Sequence, residues 1–354
     1  MKKTVLVLMA LILAVSAFLG GCGGTSSSGK EKVSINVLNW GDYIEDSLIS
    51  KFEAQYDWID VNYTTVASNE EMYTIVTTEG SDFDIIFPSD YMVERLIKED
   101  GLNAINYDNI PNAQYLNNFN LEQSYDPGNK YSVPYTWGTV GILYNKTLVP
   151  TPPTSWSALW DDQYAGKIYM YDSMRDSIAV ALLYLGYDIN TRDEAQLAEA
   201  VEALKTQKPL VQGYGSDEMR DSMINGSGAL CVTYSGDAVF SMLESENLGY
   251  AVPEEGSNLW FDCMVIPKTS QHQEAAETFI NFLLDPEVAK INTEYIGYST
   301  PHNKALEMVD QWYKDNNAYN PADDVVKRCT VYHDLGDFES KYAEAWQEVK
   351  WYTP

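Results

Sequence analysis

Histidine is nearly missing from this chain: three in 354 residues, His272, His302 and His333, far apart in sequence. That supply gives no imidazole-based zinc centre. Cysteine is as sparse, with Cys22, Cys231, Cys263 and Cys329 and no C-x-x-C spacing, so neither a redox pair nor a zinc ribbon is suggested. Cys231 and Cys263 sit in strand-like runs and read as small buried apolar residues. Positive charge is short: 23 Lys and Arg stand against 52 Asp and Glu, a formal charge of −29. Such a chain repels phosphate backbones and anionic headgroups, so nucleic acid is not an expected partner. No Gly-rich phosphate loop, G-x-S-x-G elbow or H-E-x-x-H pair occurs. After the N-terminus no apolar run is long enough to span a bilayer, and no repeat of solenoid period is present. No cofactor or metal is implied.

The single long apolar run is Val5–Val15, preceded by Lys2 and Lys3. A positive start followed by an apolar stretch shorter than a spanning helix is an export signal. It ends in Leu19-Gly20-Gly21-Cys22, which resembles a bacterial lipobox, where the cysteine is lipidated and becomes the mature N-terminus. Gly23–Gly29 then reads as a flexible tether. The expectation is a signal peptide over 1–21, a lipid-anchored tether over 22–32, and an exported globular body attached to the membrane only through Cys22. An apolar share of 45% over 354 residues suits two domains.

Hydrophobic periodicity organises that body. Ser34–Trp40 reads as a strand, Glu45–Tyr56 as a helix and Asp60–Thr65 as a second strand. Ser68-Asn69-Glu70-Glu71 is a capping box, and its helix stops at Gly80. Asp84–Phe87 is a short buried strand, followed by a helix that stops near Gly101. Strand and helix in alternation predict a parallel α/β sheet. A polar connection over 103–130 leads to a second α/β unit with strands at 131–138, 141–144, 167–171, 229–234 and 250–252 and helices at 177–185, 194–205 and 238–244. Helices over 273–292 and 338–350 complete the expected layout.

Ligands of open parallel sheets bind beyond the carboxyl ends of the strands. Those ends repeatedly pair an aromatic with a carboxylate: Trp40-Gly41-Asp42-Tyr43, Ser89-Asp90-Tyr91, Asp172–Asp176, Tyr234–Asp237 and Trp260-Phe261-Asp262. Two ligand classes want this combination. A sugar stacks on rings and donates hydroxyl hydrogens to carboxylates, so an exported carbohydrate-binding protein or glycosidase stays open as an alternative; a glycosidase needs its two carboxylates about 5–9.5 Å apart. An alkyl amine lays its methylenes and ammonium groups on ring faces and ends at carboxylates. Two such anchors and two or three ring contacts give about −8 kcal/mol, near micromolar. Structural roles compete at several positions: Asp42, Asp90 and Asp176 precede helical runs and could be N-caps, Asp172 and Arg175 could pair with each other, Tyr298 could be a loop aromatic, and Trp137, Trp156 and Trp160 read as packing.

Taken together, Asn39–Tyr43, Pro88–Tyr91, Ser132–Gly138, Ser155–Trp160, Trp260–Asp262, Phe279–Leu284 and Ile296–Pro301 resemble the solute-binding proteins of polyamine ABC transporters, the spermidine/putrescine-binding type, over nearly the whole mature chain. That resemblance implies a type II periplasmic-binding fold: two α/β lobes joined by two crossovers, the ligand clamped between them, no catalysis, a monomer, and delivery to ABC permease subunits. The implied lobes are 33–137 with 262–306, and 138–261 with 307–354. By position it implies aromatic walls at Trp40, Tyr43, Tyr91, Trp260 and Tyr298. Asp262 would hold an amine, with Asp42 on the same amine system, Ser89 adding a hydrogen bond, Asp176 on the distal amine and Tyr234 closing the box. The chain departs from the spermidine-type pattern at Asp42 (Glu there), Ser173 (Asp there), Tyr234 (Trp there) and Tyr332 (Gln there).

Overall fold

The computed structural model describes residues 30–353 apart from Glu122 and Asp217. The signal peptide, Cys22 and all but the last residues of the tether lie outside the described residues. Among the described residues no helix is long and apolar enough to cross a membrane.

Among the described residues nine strands form one curled sheet: β1 (Val33–Trp40), β2 (Ile59–Val66), β3 (Ile85–Ile86), β4 (Ser132–Asn145), β5 (Ile168–Tyr171), β6 (Val211–Gly215), β7 (Leu230–Tyr234), β8 (Leu248–Ala251) and β9 (Leu259–Val265). Their order is β2-β1-β3-β9-β4-β7-β5-β6, with β8 also on β4. β1 pairs in parallel with β2 and β3, and β5 with β6 and β7. The expected all-parallel sheet is therefore mixed. β9 lies antiparallel to β3 and β4, and β4 antiparallel to β7 and β8.

The two strand segments expected at 131–138 and 141–144 are one buried strand, β4. Its first half, Ser132–Thr139, pairs with β9, and its second half, Val140–Asn145, pairs with β7 and β8. Gly138 and Gly141 in its middle disguise it as two segments, and both have a packing reason. A Cβ on Gly138 would lie about 2.5 Å from the Trp260 ring, and one on Gly141 about 2.5 Å from that of Tyr250. Around the first half of β4 the core gathers Ile35, Phe52, Phe279 and Met264 on one face and Leu38, Met92, Phe261 and Cys263 on the other. Around the second half it gathers Ile142, Ile168, Ile178 and Leu204, then Leu143, Met223, Val239 and Tyr250. Two α/β bodies thus share one strand.

The helix expected over 273–292 is two, Gln273–Leu283 and Pro286–Ile296. Asp285 caps the second one, accepting from the backbone N–H of Glu287, and Pro286 fills a first-turn position that needs no N–H. Edge strand β6 and the helix Glu218–Ile224 are additions to the sequence reading; β6 carries two glycines and is only partly buried. Cys231, Cys263 and Cys329 are free thiols. Trp137 and Trp156 are buried in the core, and Trp160 stacks on Tyr184.

Candidate functional site

The site is assembled from strand ends that meet beside β4 and β9. Asp262 lies in β9, where a single antiparallel bridge sets it against Ser89, three residues beyond the end of β3. Its carboxylate is 6% exposed and accepts from Ser89 Oγ at 2.7 Å and from Tyr43 Oη at 2.7 Å. Tyr43 comes from the turn after β1, and its hydroxyl also lies 2.9 Å from Thr136 Oγ1 of β4. Asn69, at the start of the helix Asn69–Thr77, fixes Ser89 through both its amide hydrogen and its carbonyl oxygen.

A second carboxylate, Asp176, enters in the first turn of the helix Met174–Tyr184 and is 4% exposed. Ser173 is the N-cap of that helix, accepting from the Asp176 N–H, so Asp176 is not a cap. Its carboxylate instead accepts from Tyr234 Oη at 2.7 Å and Tyr332 Oη at 3.1 Å.

Rings connect the two carboxylates. Tyr298 meets Tyr43 edge-on at 5.7 Å and Trp260 at 4.9 Å; Trp260 meets Tyr234 at 5.9 Å, and Tyr234 meets Tyr171 at 4.7 Å. Tyr298 reaches this position because Gly297 ends the preceding helix with φ 72°, a left-handed conformation that favours glycine. Gly236, at the start of the helix Ser235–Glu244, leaves room for the Tyr298 ring, which any Cβ there would strike.

Burial pushes the Asp262 carboxyl up to about 6, and the hydrogen bonds from Tyr43 and Ser89 only partly offset it. Burial, reinforced by the neighbouring carboxylate, holds the hydroxyls of Tyr43, Tyr234 and Tyr332 well above the ordinary phenol value, so all three donate. Neither Asp262 nor Asp176 forms an ion pair among the described residues.

Tyr43, Ser89, Tyr234, Trp260, Asp262 and Tyr298 are thus gathered around the two carboxylates, with Asp176 as the second. Three other predicted residues stand differently. Trp40 is half-buried against both cores of the first body. Tyr91 gives its hydroxyl to Glu70 at 2.9 Å. Asp42 is exposed on the turn after β1, with φ 50°. Asp42 does not cap a helix; the N-cap position of the helix Ser47–Gln55 is Asp46. Asp90 is buried and accepts from the N–H groups of Tyr91 and Phe261, a structural tie to β9. Asp172 pairs with Lys350 rather than with Arg175.

Residues 47–321 match the family of bacterial extracellular solute-binding proteins. The chain belongs to that family. The spermidine/putrescine-binding periplasmic protein of Salmonella typhimurium is 31% identical to this solute-binding protein over 341 residues, 96% of this chain and 97% of that one. The crystal structure of PotD from Streptococcus pneumoniae, a spermidine/putrescine ABC transporter substrate-binding protein in complex with calcium and HEPES, superposes with a TM-score of 0.80 at 40% identity, covering 90% of this chain and 98% of that one. The TpPotD lipoprotein of Treponema pallidum superposes with a TM-score of 0.81 at 29% identity, covering 90% and 99%. The fold is the type II periplasmic-binding architecture, as the sequence resemblance implied, and this solute-binding protein works outside the cytoplasm.

Two residues of the site went unassigned in the sequence reading. Thr136 sits in a run that looks like plain strand, and only its β4 register places it beside Tyr43. Tyr332 lies in an irregular segment with no periodic signal, and its place is visible only as a departure from the family pattern. A cleft of about 430 Å³ lined by Tyr107, Ile110, Leu116 and Leu121 shares no residue with the site, and no charged side chain lines it. Convergent buried carboxylates beside rings make the strand-end assembly the candidate site. Among the described residues no group of three or more His, Cys, Asp and Glu side chains could hold a metal ion.

Proposed function

We propose that this protein is a polyamine receptor: it captures putrescine, spermidine or both between its two lobes and delivers them to the permease of an ABC importer. The observation that carries the reading is the pair of buried carboxylates, Asp262 and Asp176, joined by the Trp260, Tyr234 and Tyr298 rings and in no ion pair among the described residues. A carboxylate forced up to about 6 by burial is relieved by an ammonium placed against it. Rings in edge-to-face order offer their faces to methylenes and ammonium groups, for about 0.5–2 kcal/mol per cation contact. A neutral sugar would leave both charges uncompensated. The names of the relatives support the same ligand class.

In this reading Asp262 holds one amine, with Tyr43 and Ser89 orienting its oxygens, and Asp42, on the exposed turn after β1, binds the same amine system from the other lobe's side. Asp176 holds the other end, with Tyr234 above it. Trp40, Tyr91, Trp260 and Tyr298 are walls. The lobes are 33–137 with 262–306 and 138–261 with 307–354, and closure bends β4 and its neighbouring crossover. The receptor acts as a monomer, not as an enzyme, and Cys22 ties it to the outer face of the membrane through a lipid. Calorimetric titration tests the ligand class: putrescine or spermidine binds near micromolar, and mono- and disaccharides give no heat. Binding of a sugar with no response to either polyamine refutes it.

A further inference from the structure

Beside the site, a polar contact centred on Glu94 and Lys98, neither of them a proposed ligand-binding residue, ties one lobe to the other. The helix Asp90–Lys98 belongs to the first body: Met92, Val93 and Leu96 are in its core, and Asp90 is bonded to β9. The loop at His333–Asp334 belongs to the second. The Arg175 guanidinium donates to the His333 carbonyl and that of Arg192 to the Asp334 carbonyl, Asn190 accepts from the His333 N–H, and Leu335 enters the second body's core. Between them, Glu94 accepts from the Asp334 backbone N–H at 2.9 Å and lies 3.3 Å from His333 Nδ1. Lys98 bridges Glu94 at 2.9 Å and Asp334 at 3.0 Å. One turn away Arg95 reaches Glu339 at 3.5 Å.

This is not a scatter of surface ion pairs. Asp334 is 11% exposed and Glu94 20%. Burial alone would raise both carboxyls, yet both lie below their ordinary values, Glu94 because the Asp334 N–H and Lys98 outweigh burial, and Asp334 because the Gly336 N–H and Lys98 do. The contact is thus a hydrogen-bonded network, worth more than an exposed pair. At Glu339 the balance runs the other way: burial, then the like charges of Glu70 and Asp334, push its carboxyl up despite Arg95.

We propose that Glu94 and Lys98, with the His333–Asp334 loop, form a latch that sets how long the lobes stay closed, and so tunes affinity from outside the ligand pocket. The inference rests on the reading of the protein as a lobe-closing receptor. Opening the lobes breaks every contact in the network, whereas an incoming ligand meets an open latch. The latch therefore acts on dissociation. It also sits one residue beyond Tyr332, whose hydroxyl holds Asp176, so closing it seats the distal end of the site.

The test uses Glu94→Ala and Lys98→Met, neither of which alters a residue placed in the pocket. Putrescine dissociation is followed by stopped-flow tryptophan fluorescence. Each variant is expected to dissociate about three- to tenfold faster with an unchanged association rate; unchanged dissociation, or a loss confined to association, overturns the latch. A second measurement needs no ligand response: spin labels on the two lobes report their separation, which is expected to lengthen in both variants. An unchanged separation overturns the latch even if putrescine proves not to be the ligand. Failure of the wild-type protein to bind any polyamine, with the separation still lengthened, overturns the ligand assignment and leaves the latch standing.

Discussion

The proton and the ligand compete for Asp262. Its carboxyl sits at about 6 because it is buried, and an ammonium is held only by the ionised form. A ligand amine, with a value near that of lysine, about 10.4, stays charged over the range of interest. Affinity is therefore nearly full above about pH 7, halved near pH 6, and lost progressively as pH drops further. For a free-form value of about 6, the apparent dissociation constant rises about tenfold from pH 7 to pH 5 and about a hundredfold by pH 4. Asp262→Asn removes the charge, so putrescine affinity at pH 7 falls at least tenfold and the acid limb flattens. Stability moves the other way. The folded value lies about two units above the ordinary aspartate value of 3.8, so ionisation opposes folding by about 3 kcal/mol above pH 6, a penalty absent below pH 4. The ligand-free Asn variant should melt several degrees higher than wild type at pH 7.5, with the gap closing toward pH 4. Calorimetric titration at pH 4, 5, 6, 7 and 8 and thermal melts at the same values check both. A flat wild-type affinity from pH 7 to 5, or an Asn variant that keeps the wild-type slope, refutes the reasoning.

Two further predictions test the aromatic part of the site. Trp260→Ala removes the ring between Tyr234 and Tyr298, and polyamine affinity by fluorescence or calorimetry should fall more than tenfold through lost ring contact and the void left behind; an unchanged affinity takes Trp260 out of the site. Gly236→Ala puts a methyl into the Tyr298 ring, so affinity should drop severalfold while the melting temperature of the ligand-free protein stays within a few degrees, and a variant that binds like wild type shows that Tyr298 does not need this position.

Strand-end chemistry was legible in the sequence because strands announce themselves by short apolar runs and the residues that follow them are few. Trp260-Phe261-Asp262 and Pro88-Ser89 could be singled out in this way, and the fold class followed from alternation and resemblance. What stayed hidden is set by tertiary register. Nothing local says that Ser132–Asn145 is one strand with two sets of partners, since glycines that exist to admit Trp260 and Tyr250 look like strand breaks. Nor does sequence show that Asp176 is held by two phenols instead of capping its helix, because a first-turn aspartate reads as a cap and Tyr332 lies 156 residues away. The Asp285-Pro286 boundary was a missed local signal: both residues favour a helix start, and the apolar face running through them masked it.

The position of β9 has a consequence for how the chain is made. It fills the gap between β3 and β4, so the first body's sheet is incomplete until Val265 has been synthesised, and its apolar cover waits further for the helix Gln273–Leu283. The second body waits longer still, for the helix Glu339–Trp351 that lies on the helices Met174–Tyr184 and Glu194–Gln207. A nascent polypeptide leaving the ribosome amino end first therefore cannot finish either half early. Each half closes only once a segment made long after its first strand arrives, so completion of both bodies is tied to the end of synthesis.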